Sequence, residues 1–161
     1  KEFPENLVAF TEKYAIDPGR LEIEITENMF MSDIQACTHK LQVLSNRGVS
    51  IAIDDFGTGY SSLNYLRELP VHTVKIDYSF VSEIEHSSKG AALVAAIVGM
   101  AHGLGIDLVA EGVENKHQAE YLESLGCHIM QGFLFSKPLK VEEFLERVAA
   151  QQAEIPNLSK A

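Results

Sequence analysis

A regular alternation of short strand-like runs with longer helical runs is the feature that most constrains the fold of this chain. Apolar or alternating runs predict strands over residues 21–26, 50–55, 72–77, 107–111 and 128–131. Apolar residues at helical spacing predict helices over residues 4–14, 33–47, 61–68, 89–104, 116–125 and 141–150. Strict alternation of this kind is typical of a parallel sheet covered by helices. The chain is therefore predicted to be an α/β protein.

Glycines end three of the predicted helices. Gly48, Gly105 and Gly126 each follow a helical run and precede an apolar residue. Glycine permits the left-handed turn that closes a helix and leads into the next strand. The repetition supports a series of similar strand and helix units.

Side-chain parity separates two architectures that the alternation allows, an open doubly wound sheet and a closed barrel. In the first predicted strand Ile23 and Ile25 share one face, while Glu22 and Glu24 share the other. An open sheet covered by helices needs two apolar faces, whereas the inner face of a barrel can be polar near its mouth. The next two predicted strands repeat the pattern, which favours a TIM-like (β/α)8 barrel.

The length of the chain limits how much of such a barrel it can form. A complete barrel of this type has eight strands and about 250 residues. The 161 residues here predict an incomplete barrel of about five β/α units, unless a shorter open fold uses the same pattern. We assign residues 1–150 to one domain and residues 151–161 to a polar C-terminal tail.

Charge and hydropathy argue against two classes of partner. The apolar stretches are shorter than the roughly 20 residues that span a bilayer, so no membrane segment is expected in this chain. The net charge of −10 would repel a phosphate backbone, which argues against DNA binding. An anionic ligand would need metal ions as intermediaries.

Cysteine content and the first residue bear on location. The two cysteines, Cys37 and Cys127, are too few for a disulfide framework, and a cytoplasmic location is expected. Lys1 is not followed by a signal segment, so we expect no export and a chain that was cut from a longer protein.

Charged or amide side chains lie near the C-terminal end of every predicted strand. They are Glu24, Asp54, Asp55, Lys75, Asp77, Glu111 and Gln131. In a barrel these positions converge on one mouth, where clustered carboxylates raise one another's pKa unless a cation neutralises them. Oxygen ligands suit Mg²⁺ or Mn²⁺ better than zinc, so the pattern predicts a divalent metal site.

The pair Asp54 and Asp55 is the most informative part of this pattern. In a continuous strand the two side chains would face opposite ways, but the segment that begins with Phe56 (residues 56–60, FGTGY) is typical of an immediate strand break, which lets both turn inward. One carboxylate can then bridge two ions, and paired metals about 3.5 to 4 Å apart can activate a water against a phosphodiester. The following Gly57, Thr58 and Gly59 either cradle a phosphate through their amides or form a flexible loop at the rim.

Five segments, taken in order, resemble the successive motifs of EAL domains. They are residues 24–27 (EITE), 54–62 (DDFGTGYSS), 69–77 (LPVHTVKID), 110–114 (AEGVE) and 131–138 (QGFLFSKP). The match covers nearly the whole chain. The resemblance implies a modified (β/α)8 barrel that hydrolyses cyclic di-GMP to linear pGpG with two Mg²⁺ or Mn²⁺ ions.

The resemblance also implies roles for the matched residues at the centre of the site. Glu24, Asp54 and Asp55 resemble metal ligands of the family, with Asp54 in the position of the bridging carboxylate. Lys75 matches a lysine that contacts the catalytic water or the phosphate. Glu111 matches a carboxylate that acts as a metal ligand or as the general base, and both readings stay open.

Further residues match the surroundings of that site. Gln131 resembles a glutamine near the water and the metals, and Glu27 resembles a glutamate that steadies the loop of residues 54–62. The resemblance implies that this loop takes part in homodimer formation. Asp77 and Glu114 match residues that support the metal ligands.

The chain departs from the family pattern at its N-terminal end. The Glu-Ala-Leu strand and the strand that bears a metal-binding asparagine have no counterpart. We therefore expect the 161 residues alone to be inactive and the intact parent to be active, and hydrolysis by the fragment would refute this. Since family members are often joined to diguanylate cyclase-like or sensory domains, an upstream domain of that kind is expected.

Two other functions remain as alternatives. The first is a catalytically inactive EAL domain that senses cyclic di-GMP as a receptor or regulatory module; such a protein binds the dinucleotide and never yields pGpG. The second is a different metal-dependent barrel enzyme in which Lys75 abstracts a proton. The fragment could also complete its barrel through a partner, because exposed strand edges invite pairing.

Overall fold

The computed structural model describes residues 3–26, 29, 34–58 and 63–154. The strands are β1 (Glu22–Thr26), β2 (Ser50–Phe56), β3 (Thr73–Ile76), β4 (Asp107–Ala110) and β5 (Ile129–Met130). The helices are α1 (Phe3–Tyr14), α2 (Ile34–Ser45), α3 (Leu63–Glu68), α4 (Tyr78–Glu83), α5 (Ser88–Leu104), α6 (Lys116–Ser124) and α7 (Val141–Glu154), with a 3₁₀ turn at Pro18–Arg20.

The strands form one sheet of 5 parallel strands in the order β1-β2-β3-β4-β5. A doubly wound sheet reverses its strand order at a switch point, whereas a barrel keeps the order of the sequence. The sheet therefore confirms the α/β prediction and the partial barrel, with parallel strands joined through helices.

The core lies between the outer face of the sheet and the helices. Ile51, Ile53 and Val74 point to this side and are fully buried, together with Val94 and Val98 of α5. Burying each such side chain contributes roughly 1.5 to 3 kcal/mol. The central strands are thus held by the outward-facing apolar residues that the parity pattern identified.

The inner face of the sheet is polar, also as the parity predicts. Glu22 accepts hydrogen bonds from the hydroxyl groups of Ser50 and Thr73, each at 3.2 Å, and so joins three neighbouring strands. This contact is structural and lies nearer the start of the strands than the candidate site.

The short helix α4 is the largest difference from the sequence-based elements. It begins directly after β3, and the Asp77 carboxylate caps it by accepting a hydrogen bond from the Ser79 amide at 3.0 Å. The helix has only 6 residues, which is too short to show helical periodicity. Helix α7 continues through Glu154, beyond the predicted end at residue 150; the boundary of the C-terminal tail stays a prediction.

The geometry of three glycines agrees with the sequence-based expectation. Gly48, Gly105 and Gly126 have φ angles of 90°, 69° and 91°, which is the left-handed region that favours glycine. Cys127 is buried, and this burial raises the pKa of its thiol. Within the described ranges, no helix combines the length and the apolar character needed to cross a bilayer.

Candidate functional site

Lys75 lies at the centre of the candidate site. Its Nζ atom is 2.8 Å from Glu24 Oε1, 3.0 Å from Asp54 Oδ1 and 2.8 Å from Glu111 Oε1. The residue is only 9% exposed, and burial by itself lowers its pKa, but close contacts with the carboxylates of Glu111, Glu24 and Asp54 outweigh this and raise the pKa of the ammonium above its usual range. Lys75 is therefore a cation held among three carboxylates.

Four adjacent strands bring these groups together. Glu24 comes from β1, Asp54 from β2 and Lys75 from β3, while Glu111 directly follows β4. The Glu111 amide donates to the Ile76 carbonyl at 3.0 Å, which extends the pairing between β3 and β4 up to the site. The groups meet because parallel strands in sequential order end on the same side of the sheet.

Asp55 reaches the same side as Asp54 through a distortion of β2. The sequence suggested that the strand breaks at Phe56, but Phe56 still pairs with Ile76 of β3. Instead the register shifts between Ile53 and Phe56, and Asp55 has a φ of 53°. A non-glycine residue in this region is strained, and such strain clusters at functional sites. This register shift is what permits two consecutive carboxylates to face one site.

The carboxylates form a set that fits divalent metal ions. Asp54, Asp55 and Glu111 each offer a ligand atom, and these atoms lie within 4.8 Å of one another. Asp54 Oδ1 is buried and, among the described residues, has no well-aligned hydrogen bond, although Lys75 Nζ is 3.0 Å away. Carboxylate oxygens are the donors that Mg²⁺ and Mn²⁺ prefer. A buried carboxylate oxygen without such a hydrogen bond is suited to bind a divalent ion.

Asp77 lies close enough to Asp55 to affect its pKa. Desolvation and then the charges of Asp54 and Asp77 raise the pKa of Asp55, with Lys75 opposing the shift. The Asp77 carboxylate also accepts a hydrogen bond from the Ser79 hydroxyl, so it is held in place by α4. Sequence reasoning placed Asp77 near the site but missed Ser79, although an aspartate just before a helix is a signal for an N-cap that accepts from the amide two residues later.

The start of the loop after β2 is folded onto its own backbone. Thr58 donates from its hydroxyl to the Asp55 carbonyl at 2.8 Å and from its amide to the same oxygen at 3.3 Å. Gly57 has a φ of 95°, and a Cβ there would lie 2.8 Å from the Phe80 ring. The Thr58 amide is thus already hydrogen-bonded, which weighs against its role in a phosphate cradle.

Two residues expected near the site lie outside the described residues. They are Gly59 and Glu27. The part of the phosphate cradle that depends on Gly59, the steadying role of Glu27 and the dimer through residues 54–62 therefore stay predictions.

Gln131 and Glu114 lie to one side of the cluster rather than within it. Both line an open pocket of about 300 Å³ that also contains Glu111. The backbone amide of Gln131 donates to the Ala110 carbonyl at 2.8 Å, which fixes the end of β5 beside β4. The Glu114 amide donates to Gln118 Oε1 at 2.8 Å. The site thus has a cluster of carboxylates and an adjoining pocket.

Comparison with known sequences finds a match to the family model described as the EAL domain, over residues 1–138. The chain is 47% identical over 137 residues to the bifunctional diguanylate cyclase/cyclic di-GMP phosphodiesterase MucR of Pseudomonas aeruginosa. The matched region is 85% of this chain and 20% of MucR. The chain thus spans about a fifth of the length of this relative.

Solved structures give matching folds. The MucR phosphodiesterase in complex with cyclic di-GMP has a TM-score of 0.85 at 43% identity, over 89% of this chain and 58% of that one. The EAL domain of Mycobacterium smegmatis DcpA has a TM-score of 0.86 at 41% identity, over 93% of this chain and 67% of that one. Klebsiella pneumoniae BlrP1, in a manganese and cyclic di-GMP complex, has a TM-score of 0.77 at 34% identity, over 85% of this chain and 36% of that one.

Proposed function

This chain belongs to the EAL domain family, and from that premise we propose that it supplies most of a site that hydrolyses cyclic di-GMP to linear pGpG. The observation that carries the proposal is the set of carboxylate oxygens from Asp54, Asp55 and Glu111 within 4.8 Å of one another. Lys75 lies beside them as a buried cation. Carboxylates for metal ions and a cation for the phosphate are the groups that phosphodiester hydrolysis needs.

Two Mg²⁺ or Mn²⁺ ions are the proposed cofactors. Glu24, Asp54, Asp55 and Glu111 would hold them, with Asp54 in the bridging position, and the BlrP1 complex with manganese supports the choice of metal by analogy. When bound, such ions lower the pKa of a water molecule and neutralise charge on the phosphate. The carboxylates that would bind the ions also contact Lys75 Nζ, so ion binding and the position of Lys75 are coupled.

The residues of this chain would act on one phosphodiester of the substrate. The oxygen of a water molecule forms a bond to phosphorus, and the bond from phosphorus to the 3′ oxygen breaks. The proton that the water loses is balanced by the proton that the released 3′ oxygen gains. Lys75, kept charged by its carboxylate neighbours, stabilises the negative charge that develops on the phosphate oxygens. Glu111 serves as the proton acceptor or as a metal ligand, and Gln131 lies beside it to orient the water.

The wider assembly is proposed from the family and from the sequence. The chain would act in the cytoplasm as part of a longer protein with a sensory or diguanylate cyclase-like domain, as the name of MucR suggests for that relative. The loop of residues 54–62 would take part in a homodimer. DNA is not a proposed partner, because the net charge is −10.

Hydrolysis is best tested on two forms of the protein. The first is the 161-residue chain, which we expect to be inactive. The second is an extended chain, in which the N-terminal barrel strands of the MucR phosphodiesterase domain precede Lys1. We expect the extended chain to release pGpG in Mn²⁺ and to stop when the metal is chelated.

Matched variants connect that activity to the carboxylates. Asp54→Asn in the extended chain should abolish pGpG release, whereas Asp107→Asn, an exposed carboxylate at the start of β4, should leave it unchanged. If the extended chain binds cyclic di-GMP in Mn²⁺ but yields no pGpG, the receptor function replaces the proposed one. Equal activity of the wild type and Asp54→Asn would contradict the assignment of the site.

A further inference from the structure

Helix α4 contacts two turns that each carry a carboxylate of the candidate site. The first, here called the Asp55 turn, consists of residues 55–58 at the end of β2, and the second, the Glu111 turn, consists of residues 111–114 after β4. The helix begins two residues after the end of β3, the strand that lies between β2 and β4. Its contacts therefore bear on the relative placement of the two carboxylates.

The Asp55 turn rests on the Phe80 ring of α4. Gly57 has a φ of 95°, and a Cβ there would lie 2.8 Å from Phe80 Cε2 and 3.7 Å from Ile97 Cδ1 of α5. Phe80 is half-buried and packs against the hydrophobic core. Asp55 has a strained φ of 53°, and a strained residue keeps its conformation only where its surroundings hold it. The contact between Phe80 and Gly57 is placed to supply that support.

The Glu111 turn meets the first residue of the same helix. Gly112 has a φ of 66°, and a Cβ at this position would collide with the Cβ of Tyr78. Gly112 directly follows Glu111, and Gly57 lies two residues after Asp55. Each carboxylate is thus followed by a glycine in the left-handed region, where the absence of a side chain lets the backbone come close to α4.

The other end of α4 is fixed to α6. Glu85 lies two residues after the helix, and its Oε2 atom accepts a hydrogen bond from Asn115 Nδ2 at 2.9 Å. Asn115 is the N-cap residue of α6. The Tyr121 hydroxyl of α6 also donates to the Ala91 carbonyl of α5 at 2.9 Å. These contacts oppose any movement of α4 away from the two turns.

We propose that α4 is a brace that holds the Asp55 turn and the Glu111 turn at the separation that a pair of divalent ions requires, with Phe80 and Glu85 as positioning residues. Phe80 supports Gly57, whereas Glu85 fixes the helix to α6. Neither residue belongs to the proposed metal ligands, so each acts through the carboxylates that it positions. The inference rests on the proposed function, because the ions belong to that site.

The Mn²⁺ affinity of the extended chain tests the role of Phe80. The electron paramagnetic resonance signal of free Mn²⁺ falls as the ion binds, so the measurement needs no substrate. Phe80→Ala should weaken Mn²⁺ binding about tenfold or more, the loss typical of residues that orient metal ligands. Phe80→Leu keeps an apolar side chain and should stay within about threefold of the wild type.

Leu125→Ala is the matched control for Phe80→Ala. It truncates a half-buried side chain at the C-terminal end of α6, away from the helix end that Asn115 caps. This variant should lower the Tm without changing the Mn²⁺ affinity, because its contacts reach neither turn. A purely structural role of Phe80 would give the two alanine variants the same result.

Glu85 offers a second test that leaves the packed core unchanged. Glu85→Ala removes the acceptor for Asn115 and should weaken Mn²⁺ binding about 3- to 10-fold, as expected for the loss of one hydrogen bond. Glu85→Gln keeps an oxygen that can accept from Asn115 and should bind Mn²⁺ like the wild type, which separates the hydrogen bond from the charge. At saturating Mn²⁺, both Phe80→Ala and Glu85→Ala should release pGpG within about twofold of the wild-type rate, because the metal ligands are intact.

The outcomes separate the brace from the proposed function. Wild-type Mn²⁺ affinity in either Phe80→Ala or Glu85→Ala overturns the role of that residue, and in both it overturns the brace, while the proposed function stands. An equal loss of affinity in Phe80→Ala and Leu125→Ala also overturns the role of Phe80. If the wild-type extended chain neither binds Mn²⁺ nor releases pGpG, the proposed function and the brace fail together.

Discussion

The centre of the sheet and its C-terminal edge are built differently. β2 has 7 residues and its outward-facing Ile51 is fully buried, whereas β5 has 2 residues and its Ile129 is 57% exposed. The carboxylates and Lys75 come from the central strands and β1, while residues that line the adjoining pocket, such as Gln131 and Phe133, lie toward β5. The carboxylates and Lys75 are thus held by the longer strands of the buried core, and the pocket is lined at the edge where the last strand is short and exposed.

Removing the central cation should have the largest effect. Lys75→Met leaves three carboxylates without their shared partner, so we expect loss of hydrolysis in the extended chain and a fall of about 3 to 5 kcal/mol in the free energy of unfolding. Urea denaturation of the 161-residue chain without metal measures the second effect. Lys89→Met, at an exposed position of α5, is the control. Equal stability of both variants would show that the carboxylates do not depend on Lys75.

Truncation of matched isoleucines compares the two regions directly. Ile51→Ala in β2 should lower the free energy of unfolding by about 2 to 5 kcal/mol, because it opens a cavity in the packed core. Ile129→Ala in β5 should change it by less than about 0.5 kcal/mol, since the side chain is already exposed. Urea midpoints of both variants give the comparison. Similar losses at the two positions would mean that β5 is as well packed as β2.

A methyl group added at Gly112 should affect the pocket beside the carboxylate cluster. Gly112→Ala places a Cβ against Tyr78 at a φ of 66°, so we expect a loss of about 1 to 3 kcal/mol in stability and a higher KM for cyclic di-GMP. Gly103→Ala is the control, because a Cβ there meets no atom within 4 Å and lies in a helix; it should stabilise the chain by about 0.5 to 1 kcal/mol. A neutral Gly112→Ala would contradict the close contact with Tyr78.

The smallest expected effect concerns Asp55 and pH. Since the folded state raises the pKa of Asp55, first by desolvation and then by Asp54 and Asp77, the folded protein favours the protonated form. Above the pKa that Asp55 has in the unfolded chain, the charged carboxylate therefore lowers the free energy of unfolding. This loss disappears as the pH falls below that pKa. Without metal, Asp55→Asn should slightly raise the Tm at pH 7 and leave it unchanged near pH 3. A lower Tm of Asp55→Asn at pH 7 would contradict the upward shift of the Asp55 pKa.

Much of the fold and of the cluster could be predicted from the sequence, because each follows from strand parity and strand ends. Glu24, Lys75 and Glu111 meet where parallel strands in sequential order must bring them. The route by which Asp55 joins them could not be predicted, since a register shift with a φ of 53° depends on how β2 packs against β3.

The pocket was harder to predict than the cluster. Tyr78, which lines the pocket, lies on α4, a helix of 6 residues that is too short to show helical periodicity. Its position against Gly112 joins residues that are far apart in the sequence, so no local pattern reveals the contact. Glu114 was identified by its motif, but its place in the pocket depends on the turn between β4 and α6.

The central claim is that these carboxylates hold divalent metal ions against a phosphodiester. A crystal structure of the extended chain grown with Mn²⁺ and cyclic di-GMP tests it most directly, because anomalous scattering identifies manganese. The account predicts two manganese peaks about 3.5 to 4 Å apart, both within coordinating distance of Asp54 and one also beside Asp55 or Glu111. Bound dinucleotide with no manganese at these three carboxylates would contradict it.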